Sequence, residues 1–323
     1  MPNTAAADAD LLSPTPATSG LLERERNEAI AAAATSHVDV PPRSATPIMK
    51  WVGGKKRMLP HVLTHFENQT KVVEPFFGGG AVSFKLASTH PGLVVHANEK
   101  LTPVVEIYAA VRDDVEAFIE QVSSYADPYL AAGGKDERRS FYYDLRSKYL
   151  VGDVDGPAPL FFMLWCAYSG LYRTGKEHPG RFNTSHGFGA EKPGFFKPEN
   201  LRAAAQLMET WEFSSTDFSE TLDLIDADTF VFLDPPYRTT YTGYTEDRFS
   251  DDDQERVVAY AHAAAARGAK VVYTNKYTDD GWYEDRFGPD SGFTITRVPI
   301  RYQVNRNCAE VGRPETFEAL VHN

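Results

Sequence analysis

The sequence predicts an α/β fold, a sheet covered by helices, from two observations. Short apolar runs typical of buried strands recur along the chain, at residues 72–73, 93–96, 211–214, 230–233 and 270–273. Stretches with helical periodicity alternate with them, most clearly at residues 251–267. Such alternation indicates a largely parallel sheet whose strands are joined by helices. Two later runs, 293–301 and 317–321, predict strands that are partly antiparallel.

A change of pattern between Arg112 and Met208 predicts an inserted second domain. Two helical stretches in this region are rich in aromatic residues, at 141–149 and 160–168. A loop rich in glycine and proline follows them, at 170–194. We therefore expect a mostly helical insert at residues 112–208, which divides the sheet domain into residues 46–111 and 209–323.

The first 45 residues predict a disordered tail. They are rich in alanine, proline, threonine and serine, and they contain few large apolar side chains. A segment of this composition cannot bury enough apolar surface to offset the entropy lost on ordering. It is therefore expected to lie outside the folded domains.

Composition narrows the class of protein. The chain has 323 residues, 42% of them hydrophobic, which is enough for a substantial core. Its two cysteines, Cys166 and Cys308, have neither the number nor the spacing of a disulfide framework or a zinc site, so no metal is expected. The longest apolar run, 159–168, is about half of the ~20 residues that span a bilayer. We expect a cytoplasmic protein with no membrane partner.

The charge distribution is uneven along the chain. A formal net charge of −12 argues against a protein that coats nucleic acid everywhere, because non-specific binding depends on neutralising phosphates. Residues 135–202 nevertheless carry eleven Lys and Arg against eight Asp and Glu, a net of +3. This middle region is suited to face phosphates, although a mixed solvated surface has the same composition.

The most informative segment is an apolar run that ends in Asp234, Pro235, Pro236 and Tyr237. Two prolines fix the backbone and donate no hydrogen bonds, so the carbonyl oxygens of Asp234 and Pro235 can point into a cleft at the end of the strand. Such acceptors suit an aromatic NH2 group, whose protons they would accept as its nitrogen becomes reactive. Tyr237 would stack on an extruded base. The alternative is a plain proline turn with a capping Asp234 and a packed Tyr237.

A second cluster, Glu74-Pro75-Phe76-Phe77-Gly78-Gly79-Gly80, follows an apparent strand and precedes an apparent helix. Glycines at such a turn let the backbone approach a ligand and reach positive φ. Glu99 ends the next apparent strand, where a carboxylate would accept hydrogen bonds from ribose hydroxyls. A plain glycine-rich turn and an exposed loop glutamate are the alternatives. The spacing is not GxGxxG, which argues against a nucleotide-binding dehydrogenase.

A third cluster, Lys50-Trp51-Val52-Gly53-Gly54-Lys55, follows the tail. Lys55 could neutralise the carboxylate of a cofactor, and Trp51 could cover an apolar or cationic part of it. A solvated basic start of a helix explains the same residues. These residues alone are compatible with both a cofactor-binding cluster and a solvated start of a helix.

Taken in this order, the three clusters resemble those of the Dam-type DNA adenine methyltransferases, over roughly residues 48–323. The resemblance implies a Rossmann-like methyltransferase sheet with an inserted, mostly helical target-recognition domain, S-adenosyl-L-methionine as cofactor and double-stranded DNA as partner. It implies that Asp234, Pro235, Pro236 and Tyr237 are catalytic. The positions that match the family's cofactor-binding residues are Trp51, Lys55, Glu74, Phe77, Gly78, Gly80, Glu99, Asp217, Phe218 and Asp234. A buried Phe218 and a capping Asp217 are the alternative for that pair.

The insert resembles the family's recognition domain in Tyr168-Ser169-Gly170-Leu171-Tyr172-Arg173 and in Gly180-Arg181-Phe182-Asn183. By this resemblance Arg173 contacts a guanine and Lys50 contacts another base; an arginine on guanine is also the commonest specific contact in DNA recognition. The chain departs from the family pattern at several positions: Ser169 replaces asparagine, Thr174-Gly175 replaces Tyr-Asn, Thr184-Ser185 replaces Val-Pro, Glu99 replaces aspartate and Leu101 replaces asparagine. The expected target is GATC, and no cognate restriction enzyme is inferred from the sequence.

Two further classes of protein are alternatives to a DNA-directed enzyme. A methyltransferase that acts on RNA or on a protein amide could use a similar proline pair, but the protein-directed enzymes carry asparagine where Asp234 stands here. A DNA-binding protein that has lost catalysis could keep the fold. Intact Asp234, Pro235, Tyr237 and Lys55 argue against it, and DNA affinity without methyl transfer would favour it.

Overall fold

The computed structural model describes residues 44–187, 196–238, 249–300 and 316–323. The strands in this part of the chain are β1 (Lys71–Glu74), β2 (Val94–Asn98), β3 (Thr174–Gly175), β4 (His178–Phe182), β5 (Glu212–Ser214), β6 (Thr229–Leu233), β7 (Lys270–Lys276), β8 (Thr294–Ile300) and β9 (Thr316–His322). Among them, seven strands form the main sheet in the order β5-β2-β1-β6-β7-β9-β8. The strand pairs from β5 to β7 are parallel, and β9 is antiparallel to β7 and β8.

Helices cover both faces of this sheet. Those in the described ranges are α1 (Leu59–Leu63), α2 (Ala81–Thr89), α3 (Thr102–Asp113), α4 (Val115–Ala131), α5 (Lys135–Val151), α6 (Pro157–Cys166), α7 (Pro198–Met208), α8 (Asp251–Ala266) and α9 (Trp282–Phe287). Short 3-10 helices lie at Tyr168–Gly170, Phe218–Leu224 and Pro289–Ser291. No helix in these ranges has the length and apolar character that crossing a membrane would require.

The central strands are apolar because both of their faces are buried. All five residues of β6, Thr-Phe-Val-Phe-Leu, are buried, as a strand inside a parallel sheet requires. The five predicted strands, the helix at 251–267 and the late strands with their antiparallel pairing are confirmed. The tail up to residue 43 and residues 188–194 of the predicted loop lie outside the described residues.

The region from residue 112 to 208 is helical, with one correction to the prediction. The expected loop at 170–194 contains a small antiparallel hairpin, β3 with β4. A two-residue strand is too short to show alternation, so the sequence pattern could not reveal it. Buried residues of α4, α5 and α6 belong to the same continuous apolar core as those of α2, α3 and α7. A separate inserted domain therefore stays a prediction.

The strand order reverses next to β1. The chain runs from β1 to β2 on one side, and it later enters β6 on the other side of β1. In open α/β sheets, the crevice at the carboxyl ends of strands on either side of such a reversal is the usual ligand site. Here the two strand ends carry Glu74 and Asp234.

Candidate active site

Asn98, at the end of β2, organises the carboxyl edge of the sheet. Its Nδ2 donates to the carbonyl oxygens of Pro75 at 3.1 Å and Thr216 at 3.3 Å. Its Oδ1 accepts from the Ser214 hydroxyl at 2.8 Å and from the Thr216 N–H at 3.0 Å. The buried amide thus holds together the segments that follow β1 and β5.

The glycine turn after β1 has no room for a side chain at Gly78 or Gly80. Gly78 and Gly80 have φ of 48° and 63°. A Cβ on Gly80 would lie 2.2 Å from Cζ of Phe77, and one on Gly78 would lie 2.6 Å from Nε1 of Trp51. Trp51 therefore packs directly on the turn, and both glycines are required by sterics as well as by φ.

Glu99 ties the turn to the end of β2. Its Oε2 accepts from the Gly78 N–H and its Oε1 from the Leu101 N–H, each at 3.0 Å. The Tyr108 hydroxyl donates to the Gly78 carbonyl at 2.9 Å. Burial raises the pKa of Glu99, while the backbone hydrogen bonds oppose that rise. The carboxylate of Glu99 is thus held in place by hydrogen bonds from both sides of the site.

Glu74, at the end of β1, is fully enclosed. Burial raises its pKa to about 8, against a hydrogen bond that the Ser83 hydroxyl donates to its Oε2. The nearby charge of Asp234 raises it further. Glu74 is therefore mostly protonated at neutral pH in the folded chain.

Asp234 is held by two side chains from other elements. The Lys55 ammonium lies 2.8 Å from its Oδ1, and the Thr274 hydroxyl of β7 donates to the same oxygen at 3.2 Å. Burial raises the pKa of Asp234, while Lys55 acts in the opposite direction and favours the ionised form. Lys55 thus favours the ionised, accepting form of this partly buried carboxylate.

The Lys55 ammonium lies close to three groups of the protein. Besides Asp234, it donates to the Tyr237 hydroxyl at 3.0 Å and lies 3.4 Å from Oε2 of Glu318. Burial alone would lower the pKa of Lys55, but the two carboxylates outweigh it and raise the pKa. A cofactor carboxylate, which Lys55 was predicted to neutralise, would share the ammonium with these groups.

Glu318, from β9, was not predicted. Its Oε1 accepts from the Tyr237 hydroxyl at 2.8 Å. The available signal was weak: a glutamate in the otherwise apolar run Thr316–His322. Because β9 is antiparallel, its first residues lie at the edge where β6 and β7 end.

The proline pair is fixed by two amide side chains. Gln254 of α8 donates to the Pro236 carbonyl at 2.8 Å, and Asn275 of β7 does so at 3.5 Å. The Asn275 Oδ1 also accepts from the Arg238 N–H at 3.3 Å. The backbone of Asp234-Pro235-Pro236-Tyr237 is thus held by contacts from two neighbouring elements.

Asp217 and Phe218 have the structural contacts given above as the alternative. Asp217 caps the 3-10 helix that begins at Phe218, and it forms an ion pair with Arg256. Phe218 is buried against Phe76, with ring centroids 5.1 Å apart, and the Arg256 guanidinium lies 4.7 Å from the Phe218 ring centroid. Their role toward the cofactor stays a prediction.

The two predicted DNA contacts come from neighbouring segments. A Cβ on Gly170 would lie 2.8 Å from Cβ of Lys50, so the turn before Arg173 packs on Lys50. The Lys50 ammonium donates to the Trp165 carbonyl at 3.0 Å, and burial lowers its pKa. The Thr184 hydroxyl accepts from the Arg173 N–H at 3.1 Å, which anchors that backbone.

Comparison with known proteins identifies the family. The profile of the D12 class N6 adenine-specific DNA methyltransferases matches residues 51–299. The chain is 31% identical over 297 residues to the type II methyltransferase M.MjaIII of Methanocaldococcus jannaschii, which covers 86% of this chain and 98% of that protein. It is 29% identical to the retron Ec67 DNA adenine methylase of Escherichia coli, over 72% of this chain and 77% of that protein.

A third relative, the DNA adenine methylase of Vibrio cholerae, is 26% identical over 71% of this chain and 81% of its own length. The family match covers all three motif clusters from Trp51 onward. The resemblance to DNA adenine methyltransferases is thereby confirmed, and with it the use of S-adenosylmethionine as methyl donor. The chain belongs to the D12 class of N6 adenine-specific DNA methyltransferases.

Proposed function

We propose that this enzyme methylates the N6 amine of an adenine extruded from double-stranded DNA, with Asp234, Pro235, Pro236 and Tyr237 as its catalytic residues. The observation that carries the proposal is the Asp234 carboxylate, fixed by Lys55 and Thr274 at one side of the strand-order reversal. The glycine turn lies at the other side. The proposed acceptor for the amine and the proposed binding turn for the methyl donor therefore follow two neighbouring strands, β6 and β1.

The described residues fit S-adenosylmethionine. The turn at Phe77, Gly78 and Gly80 is compact because neither glycine has room for a Cβ, and Trp51 lies against it. Each oxygen of Glu99 accepts one backbone N–H and keeps capacity for a ribose hydroxyl. Glu74, Asp217 and Phe218 complete the proposed binding set. When bound, the cofactor supplies an electrophilic methyl group on a sulfonium.

The chain's own groups prepare the amine for attack. The lone pair of an adenine amine is delocalised into the ring, so the nitrogen is a weak nucleophile. The Asp234 carboxylate and the Pro235 carbonyl accept its two protons as hydrogen bonds and favour a tetrahedral nitrogen. Asp234 then takes the proton that the nitrogen releases, which requires the ionised form that Lys55 stabilises. Tyr237 stacks on the base and offsets part of the few kcal/mol that extrusion costs.

Target recognition is assigned to residues 112–208, with Arg173 on a guanine and Lys50 on a second base. The packing of Gly170 on Lys50 supports this assignment, because Gly170 lies three residues before Arg173 in the chain. The proposed target is GATC. Two of the relatives named above are DNA adenine methylases, which supports DNA as the substrate.

One experiment tests the chemistry and the target together. Plasmid is incubated with enzyme and S-adenosylmethionine, then cut by nucleases that differ in their sensitivity to adenine methylation at GATC. Protection at GATC that is lost in Asp234→Asn supports both statements. Methyl incorporation into adenine with unchanged cleavage at GATC refutes the target alone, and near wild-type transfer by Asp234→Asn refutes the catalytic assignment.

A further inference from the structure

Glu318 is a buried carboxylate beside the active site that belongs to none of the three motif clusters. It is 4% exposed, and its position is set by sheet order rather than by sequence proximity, since 81 residues separate it from Tyr237. In the register of the sheet it pairs with Lys276 at the end of β7. The Glu318 carboxylate, on β9, thus lies at the edge of the sheet where Asp234 and Tyr237 lie.

The two oxygens of Glu318 have different partners. Oε1 accepts from the Tyr237 hydroxyl at 2.8 Å, and Oε2 lies 3.4 Å from the Lys55 ammonium. Lys55 in turn lies 2.8 Å from Asp234 and 4.6 Å from the centroid of the Tyr237 ring. Glu318, Tyr237, Lys55 and Asp234 therefore form one connected network.

Stability is a poor explanation for this arrangement. One ammonium faces the buried Glu318 carboxylate and the partly buried Asp234 carboxylate, whose like charges repel, and taking a charge out of water is costly. Buried ionic groups can often be replaced by apolar residues without loss of stability. The network does fix orientation. It holds the hydroxyl of Tyr237, the proposed stacking residue, and the ammonium of Lys55, which contacts the proposed acceptor.

We propose that Glu318 is a positioning residue for methyl transfer, which orients the Tyr237 ring and the Lys55 ammonium so that the adenine amine meets a correctly placed Asp234. The inference rests on the proposed roles of Asp234 and Tyr237. Glu318 acts through these two residues and is not assigned a contact with DNA or cofactor.

The test compares Glu318→Ala, Glu318→Gln, Tyr237→Phe and the double variant Glu318→Ala with Tyr237→Phe. Glutamine keeps an acceptor oxygen at the same length, and phenylalanine keeps the ring without its hydroxyl. The matched control is Glu212→Gln, an exposed glutamate that opens β5 and pairs with His96. Single-turnover methylation rates are measured with saturating DNA and cofactor, alongside DNA affinity by anisotropy and cofactor affinity by calorimetry.

Glu318→Ala is expected to slow the methylation step by about tenfold or more, while both affinities stay within about twofold of wild type. Glu318→Gln recovers part of the rate, and the loss of rate in the double variant is smaller than the two single losses combined, because both changes break the hydrogen bond between Tyr237 and Glu318. Glu212→Gln behaves as wild type.

Three results would overturn the inference. The first is a wild-type rate in Glu318→Ala, and the second is additive effects in the double variant. The third is equal loss of rate and affinity in Glu318→Ala and Glu318→Gln, which indicates a structural role only. Asp234→Asn, measured in parallel, separates the two proposals: if it is inactive while Glu318→Ala is not impaired, only the role of Glu318 fails.

Discussion

The Lys55 ammonium lies 2.8 Å from Oδ1 of Asp234, and this ion pair joins the first motif cluster to the last. Lys55 is buried and Asp234 is partly buried, so the pair depends on correct geometry as well as on charge. The ion pair brings the two clusters together in one site, where Lys55 favours the ionised form of Asp234 at the end of β6.

Lys55→Met should damage both stability and catalysis. Removing the ammonium leaves the buried Glu318 and the partly buried Asp234 without their cation, which costs about 3–5 kcal/mol of unfolding free energy. The pKa of Asp234 should rise, because Lys55 is the main group that lowers it. The methylation rate is expected to fall on the order of a hundredfold at neutral pH.

The control for this change is Lys56→Met, which removes an exposed lysine at the next position. Denaturant unfolding and single-turnover rates are measured for both variants. A Lys55→Met enzyme as stable and as fast as Lys56→Met would contradict the assigned role of the ion pair.

Much of the fold and part of this site could be predicted from the sequence. The strand at Asp234, the turn at Gly78 and the basic cluster at Lys55 are local patterns, and each is read from neighbouring residues. Glu318 and Thr274 could not be found in this way, because sheet order brings them to the site from distant strands. Likewise, the β3–β4 hairpin is too short to leave a period in the sequence.

Glu74 should make the stability of the enzyme fall as pH rises. Its folded-state pKa is raised to about 8 from an ordinary value of 4.5, mainly by burial. Below pH 4.5 the residue is protonated in both states and this contribution is fully present. Between pH 4.5 and 8 the unfolded chain ionises while the folded chain does not, so the contribution is lost across that window.

Glu74→Gln should therefore flatten the decline in unfolding free energy between pH 5 and pH 8. The exposed Glu67, changed to glutamine, is the control and should leave the slope as in wild type. Denaturant midpoints measured at both pH values give the answer. An unchanged slope in Glu74→Gln would mean that Glu74 is ionised in the folded enzyme.

Gly80→Ala should destabilise the glycine turn more than positive φ alone explains. Gly80 has φ of 63°, and an added Cβ would lie 2.2 Å from the buried Phe77 ring. Gly92, with φ of 84° and open space around its Cβ position, is the matched control. We expect Gly92→Ala to lose about 1–2 kcal/mol of unfolding free energy, the cost of left-handed backbone, and Gly80→Ala to lose more.

Cofactor affinity separates the two glycine variants further. Gly80→Ala should weaken S-adenosylmethionine binding at least tenfold in calorimetry, because the turn must move, whereas Gly92→Ala should bind as wild type. Equal stability losses and equal affinities in the two variants would show that Phe77 yields to the added methyl group.

Ser169→Asn should stabilise the enzyme. Ser169 is the non-glycine residue with positive φ in the described part of the chain, at φ 56° and ψ 15°, and it is exposed. Asparagine occupies this left-handed region more readily than serine, because its short amide can bond to the local backbone. The expected gain is about 0.5–1 kcal/mol of unfolding free energy, measured by denaturant unfolding.

Ser169→Ala, which lacks a polar side chain, is the control and should be less stable than wild type. A loss of stability in Ser169→Asn would show that the serine hydroxyl has a specific partner in this turn.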